Sequence, residues 1–225
     1  MQNAPMSIQP LDHADAVEPV ELAARLAARL CHDFISPVSA IVSGLDLIDD
    51  PEQQDMREEA MGLIATSARK LAALLSFSRI AFGGSAASEL FDVRELERLS
   101  REFFEHARAE MEWAVEPPGL DKPCARSLLN LVQLGAVALP MGGKARLTVR
   151  EGVGEMHLDL DAEGARARLR PEAIDGLEGR RFDEGLGGQW VQTYFLRSIV
   201  DRAGGTLEFE VVEGAVRVRV KLPIQ

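Results

Sequence analysis

Leu22, Leu26, Leu30, Phe34, Pro37, Ile41, Leu45 and Ile48 recur at intervals of three and four, the period of a helix with one apolar face. The run begins at Pro19 and breaks at Asp49-Asp50-Pro51, where Pro51 suits the first turn of a new helix. A second apolar set follows, Met56, Ala60, Leu63, Ile64, Leu71, Leu74, Ile80 and Ala81, and it stops at Gly83-Gly84-Ser85. Two arms of roughly 30 residues, each about 45 Å long, predict an antiparallel helical hairpin over 19–84. Two helices alone cannot bury both stripes. A second copy of the hairpin would complete a four-helix bundle, so the pattern predicts a homodimer.

Residues 1–18 are polar and aperiodic and read as a flexible tail, and 85–91 read as a linker. From Asp92 the pattern becomes mixed. Asp92 caps a helix running to about Arg108, with Leu96, Leu99 and Phe103 inward. Glu110 to Glu116 alternates as a strand, and Lys122 to Leu139 is a helix closed by Pro140 and Gly142-Gly143. Ala145 to Arg150 and Glu155 to Asp161 form a strand pair, and 162–189 reads as loop. A helix from Trp190 to Arg202 precedes two final strands, Thr206 to Val212 and Ala215 to Leu222. The expected fold class is α+β: the helical hairpin, then an α/β two-layer sandwich with a mixed sheet over 92–225.

The chain has 225 residues, 46% of them hydrophobic, enough for a packed core. Its net charge of −11 argues against a nucleic-acid partner, which needs clustered Lys and Arg. Within that acidic balance Arg166, Arg168, Arg170, Arg180 and Arg181 form a local basic concentration, readable as solvated loop charge or as a docking surface for an acidic domain. Cys31 and Cys124 suggest neither a disulfide framework nor a metal pair, and Cys31 is expected to be a packed, inert thiol. His13, His106 and His157 lack companions at ligand spacing, so no metal site is expected. No uninterrupted apolar run of about 18 residues stands out, which predicts a cytoplasmic protein without a membrane partner.

Candidate chemistry lies in His32-Asp33-Phe34-Ile35-Ser36-Pro37. His32 falls about 160° round the helix from the centre of the apolar stripe, so it is expected to be exposed. Its own face carries Arg25, Arg29, Ser36, Ser39 and Ser43, small apart from the arginines, with Ile35 and Val42 beside it. Such a face leaves the ring open to a macromolecular partner, and these seven residues are the candidate partner-binding set. A free imidazole is mostly neutral near pH 7 and can attack and later release a phosphoryl group. Asp33 could hold the opposite ring nitrogen and fix the reactive tautomer. Pro37 inside the helix removes a backbone bond and should bend the helix below His32.

His32-Asp33-x-x-x-Pro37 in the first arm of a dimeric hairpin resembles the phosphoacceptor box of sensor histidine kinases. Leu128-Leu129-Asn130-Leu131 resembles their nucleotide-site asparagine helix, and Leu196 to Pro223 resembles their closing helix and strands. Departures stand at the nucleotide positions: Leu134 replaces a second asparagine, and the adenine-reading turn is Asp161-Ala162-Glu163-Gly164-Ala165, with a carboxylate in place of glycine. The later glycine turn survives as Gly185-Leu186-Gly187-Gly188, crowded by Trp190. A kinase shape without its nucleotide site is similar to the dimeric histidine phosphotransferases of the ChpT type. That resemblance implies that His32 takes a phosphoryl group from the receiver domain of a hybrid (CckA-like) kinase and passes it to CtrA-like and CpdR-like response regulators in cell-cycle control. It implies Asp33 as the neighbouring acid, no cofactor bound by this chain, and Mg²⁺ held by the receiver. An ATP-dependent kinase core and an inactive receiver-binding scaffold remain as alternatives.

Overall fold

The computed structural model describes residues 6–7, 17–83, 90–181 and 187–224. Helix α1 (Pro19–Asp49) starts on a proline in its first turn and runs unbroken through Pro37, which is buried. The bend expected at that proline therefore does not interrupt the helix. Asp50 then accepts a hydrogen bond from the Glu52 amide at 2.9 Å, opening a 3₁₀ segment, Pro51–Met56, where continuous α-helix was expected. Helix α2 (Arg57–Ala81) returns antiparallel to α1. The arms approach closely at Gly44, where a Cβ would lie 2.6 Å from Ile64 and 3.1 Å from the Ala60 carbonyl.

The second part is a two-layer sandwich. Its six-stranded sheet has the order β1 (Met6–Ser7), β7 (Thr206–Val212), β8 (Ala215–Pro223), β6 (Glu155–Glu163), β5 (Lys144–Glu151), β3 (Glu110–Val115). Only β3 and β5 run parallel; the other neighbours are antiparallel. A small ribbon pairs β2 (Phe91–Asp92) with β4 (Gly119–Leu120). The helices α3 (Val93–Phe104), α4 (Lys122–Ala138), α5 (Pro171–Leu177) and α6 (Gly188–Arg202) complete the molecule. Asp92 caps α3 through the Arg94 amide at 2.8 Å, and Asp121 caps α4 through the Cys124 amide at 2.9 Å.

Strand alternation decides the layers. Ala145, Leu147 and Val149, Leu158, Leu160 and Ala162, and Val216, Val218, Val220 and Leu222 are buried beneath the helices. The intervening positions form a charged lattice on the open face: Arg219 pairs with Asp161 at 2.5 Å, Arg217 with Glu210 at 2.7 Å, and Arg150 with Asp159 at 3.4 Å. Three expectations change. α3 ends at Phe104 rather than near Arg108, the segment 162–189 contains α5, and Met6–Ser7 within the expected tail forms a strand against β7. The rest of the tail up to residue 16, with His13, residue 84 at the end of the expected hairpin, and residues 85–89 of the expected linker lie outside the described residues.

A small apolar cluster fixes the hairpin against the sandwich. Trp190 and Tyr194 of α6 stack with centroids 4.9 Å apart, with Val17, Leu22 and Leu26 packed on them. The Val17 amide donates to the Tyr194 hydroxyl at 2.8 Å, and the Trp190 indole donates to the Arg180 carbonyl at 2.8 Å. Both arms are long and apolar enough, by length and composition, for an 18-residue window of mean hydropathy 1.2, contrary to the expectation that no such run exists. Each arm also packs on its neighbour and on the sandwich, with 11% and 17% of those windows buried.

Candidate functional site

Helix α1 presents three faces. One, with Pro37 and Gly44, is buried against α2. A second, roughly 110° away, carries Cys31, Ile35, Val38, Val42 and Leu45, spaced four, three, four and three and all exposed. The third carries His32, Ser36, Ser39 and Ser43, also exposed. The small serines leave the His32 side chain 80% accessible.

Among the described residues the ring is tethered on one side only. Nδ1 of His32 lies 3.4 Å from Oδ1 of Asp33. The other oxygen of Asp33 accepts a hydrogen bond from Nε of Arg29 at 3.2 Å, and Arg29 also donates through Nη1 to the Gly188 carbonyl at the start of α6. One turn earlier, Arg25 pairs with Glu21 at 2.7 Å and lies 5.1 Å from the centroid of the Trp190 ring. A protonated Nδ1 facing Asp33 leaves Nε2 with its lone pair toward solvent, the arrangement of an exposed nucleophile.

His32 opens on a cleft of about 370 Å³ between hairpin and sandwich. Arg29, Asp33 and Ser36 share its α1 wall, Lys70 and Leu74 come from α2, Phe103 from α3, and Gln133 from α4. The floor is apolar. Gln133 is buried, and its Oε1 has no hydrogen-bond partner.

A sequence profile of the histidine phosphotransferase C-terminal domain matches residues 93–215. The chain is also 33% identical to the protein phosphotransferase ChpT of Brucella abortus (strain 2308) over 187 residues, which is 82% of this chain and 88% of that protein. The chain belongs to the histidine phosphotransferases. A solved bacterial phosphotransferase superposes with a TM-score of 0.80 at 27% identity, covering 94% of this chain and 98% of that one. A weaker likeness is to the nucleotide-free catalytic domain of histidine kinase ThkA, with 21% identity and a TM-score of 0.45 over 60% of this chain.

The geometry of this histidine phosphotransferase divides the residues expected from sequence. His32, Ser36, Ser39 and Ser43 share one face, Asp33 lies at its flank paired with Arg29, and Ile35 and Val42 lie on the adjoining exposed row. Arg25 and Arg29 are turned toward α6, with side chains 19% and 14% accessible, rather than outward beside His32. Cys31, expected to be packed, is exposed on the spaced apolar row. Lys70, Phe103 and Gln133 escaped sequence reading because they reach His32 only once the hairpin docks on the sandwich. The one signal available was Gln133, a polar residue within the apolar run of α4.

Several residues of the segments that resemble a nucleotide site pack within the protein. Trp190 is fully buried, and Leu134 is part of the core. The Asn130 side-chain amide donates to the Arg126 carbonyl at 2.9 Å and the Asn130 backbone carbonyl accepts from Gln192 at 2.8 Å, while the side-chain Oδ1 is buried with no hydrogen-bond partner among the described residues. Asp161 points to the open face of the sheet and pairs with Arg219, whereas the inward position beside it is Ala162. Asp161 therefore lies on the side of the sheet away from the helical layer. Gly185 and Leu186 of the glycine turn lie outside the described residues, and Gly187 adopts a left-handed conformation with φ 45° ahead of α6. Among the described residues no group of three or more His, Cys, Asp or Glu side chains converges for a metal ion.

Proposed function

We propose that this phosphotransferase is the intermediate of a phosphorelay, carrying the phosphoryl group on Nε2 of His32 between receiver-domain aspartates. One observation carries the reading: an exposed ring with one nitrogen directed at a carboxylate and the other free, at the mouth of a cleft. Nε2 attacks the phosphorus of a receiver acyl phosphate; the N–P bond forms as the aspartyl O–P bond breaks, and the carboxylate leaves. The phosphorylated ring keeps the Nδ1 proton and its positive charge, which Asp33 balances. A second receiver's carboxylate then attacks and restores neutral imidazole. No net proton moves.

The likeness to ChpT supports donors and acceptors of the two-component kind: the receiver of a hybrid, CckA-like kinase and CtrA-like or CpdR-like regulators, hence cell-cycle control in the cytoplasm. Mg²⁺ would sit in the receiver's acidic pocket, and this chain would bind no nucleotide. A docked receiver would cover Ser36, Ser39 and Ser43, with Ile35 and Val42 at the margin. Arg166 and Arg168, exposed on alternate positions around buried Ala167, offer an acidic receiver a further contact. The exposed row on α1 has a counterpart on α2, Met61, Ala65, Ala68, Ala72 and Leu75, with the same four-three spacing, which supports a homodimeric four-helix bundle.

The test is label transfer to wild type and His32→Ala, from ATP alone and from a pre-phosphorylated receiver. Label arriving only from the receiver, and only with His32 present, is expected. Label from ATP alone would make the chain a kinase; no label from either would make it a receiver-binding scaffold.

A further inference from the structure

Arg29 touches both the acid beside His32 and the start of α6. Its Nε holds Oδ2 of Asp33 at 3.2 Å, while Oδ1 of the same carboxylate faces Nδ1 of His32 at 3.4 Å. The Gly188 carbonyl receives the Nη1 end of the same guanidinium. The fit is local: a Cβ placed on Gly188 would lie 3.7 Å from Cδ of Arg29, so the arginine stem covers this glycine. With a side chain 14% accessible, Arg29 is poorly placed to meet an incoming protein.

We propose that Arg29 is a positioning residue, which couples the seating of the C-terminal sandwich on α1 to the orientation of Asp33 and thereby to the tautomer of His32. The inference rests on His32 being the phosphoacceptor. The physical argument concerns the carboxylate. Neighbouring helical residues point about 100° apart, so an unrestrained Asp33 favours solvent over a long contact to the His32 ring. A planar guanidinium fixed at its far end by a carbonyl removes that freedom. Oδ1 then stays on the Nδ1 side, the proton stays on Nδ1, and Nε2 remains the nucleophile. The same logic applies to ligand histidines whose second nitrogen is oriented by an outer carboxylate.

The position of Gly188 gives the coupling its sense. α6 reaches α1 through Arg29 to Gly188 and through Arg25 over Trp190. Lifting the sandwich off α1 would break the first contact and free the Asp33 carboxylate. The C-terminal sandwich would thus have a task at the phosphoacceptor, that of holding its acid in place.

The experiment uses the full chain, with Arg29→Gln, Arg29→Lys, Asp33→Asn and the Arg29→Gln/Asp33→Asn double variant. Single-turnover transfer from a pre-phosphorylated receiver is followed across receiver concentrations, and ¹⁵N correlation spectra report which nitrogen of His32 carries its proton at a pH of about 8, where imidazole is neutral. Arg29→Gln should lower the limiting transfer rate about tenfold while leaving the half-saturating receiver concentration unchanged. It should also move the His32 tautomer from mainly Nδ1–H toward the mixture of a free histidine. Arg29→Lys keeps the charge but not the fork and should fall between. In the Asp33→Asn background, Arg29→Gln should have no further effect. A raised half-saturating concentration at an unchanged limiting rate would make Arg29 a receiver contact and overturn the proposal. So would an unchanged tautomer, or additive losses in the double variant. His32→Ala in the same assay tests the underlying reading separately: transfer persisting without His32 would remove the phosphoacceptor itself.

Discussion

The two cysteines occupy opposite environments on the same chain. Cys124 is buried near the start of α4, and burial, followed by its contact with Asp121, pushes its thiol well above the ordinary cysteine range. Because the thiolate is the reactive form, Cys124 should be silent toward alkylating reagents until the protein unfolds. Cys31 lies open on the spaced apolar row of α1. It should react in the isolated chain and become protected as a second copy covers that row. The expected result is one fast thiol per chain at low protein concentration, falling toward none as concentration rises, measured with a chromogenic disulfide. Fast reaction of Cys31 at every concentration would place the copy-to-copy contact elsewhere. Residue-level reading of the sequence was reliable where a side chain's environment comes from its own helix, as for His32 on the wet face and Asp92 as a cap. It failed where the environment comes from a distant element: the α6 contacts of Arg25 and Arg29 depend on residues about 160 positions away along the chain.

At the scale of elements, legibility followed length. α1 and α2 are long enough for the three-and-four spacing to repeat several times, and strands β5, β6 and β8 alternate over eight or nine residues. α5 has seven residues, too few for a periodic signal, and its Gly176 reads as a turn residue. The structure gives that glycine a different reason. A Cβ there would lie 2.2 Å from Oγ1 of Thr193 and 2.6 Å from the Trp190 carbonyl, so the absent side chain lets α5 lie against α6. Arg197 completes the joint, buried and donating to the Leu177 carbonyl at 3.1 Å and to Asp201 at 2.7 Å. Gly176→Ala should therefore destabilise the sandwich by about 3 kcal/mol, despite alanine's better helix propensity, because backbone atoms of α6 cannot yield as a flexible side chain could. Urea unfolding followed by far-UV circular dichroism measures this. A change below about 0.5 kcal/mol would show that α5 is free to shift.

On the scale of the whole molecule, the unpartnered surface is unevenly distributed. Of the large exposed apolar side chains, Ile35, Val38, Val42 and Leu45 lie on α1 and Met61, Leu63 and Leu75 on α2, whereas the sandwich exposes few, among them Met141 and Val153. A hairpin with rows spaced four and three on both arms has the pattern of half a helical bundle, in which each row inserts between those of a second copy. Charge placed on that seam must be desolvated without a partner if the bundle is to form. Val38→Glu combined with Leu75→Glu should therefore weaken association by at least about 100-fold, read by sedimentation as a shift from dimer to monomer at micromolar concentration. Both substitutions leave the contacts that tie Trp190, Arg29 and Asp33 together, so the monomer should keep the sandwich seated and His32 exposed. If a receiver docks on the His32 face as proposed, using one hairpin and one sandwich, the monomer should still accept label, with a rate within a few-fold of wild type. Retention of the dimer would move the seam away from these rows. Loss of transfer in a folded monomer would mean that the site draws on the second copy, in which case the bundle completes the phosphoacceptor as well as stabilising it.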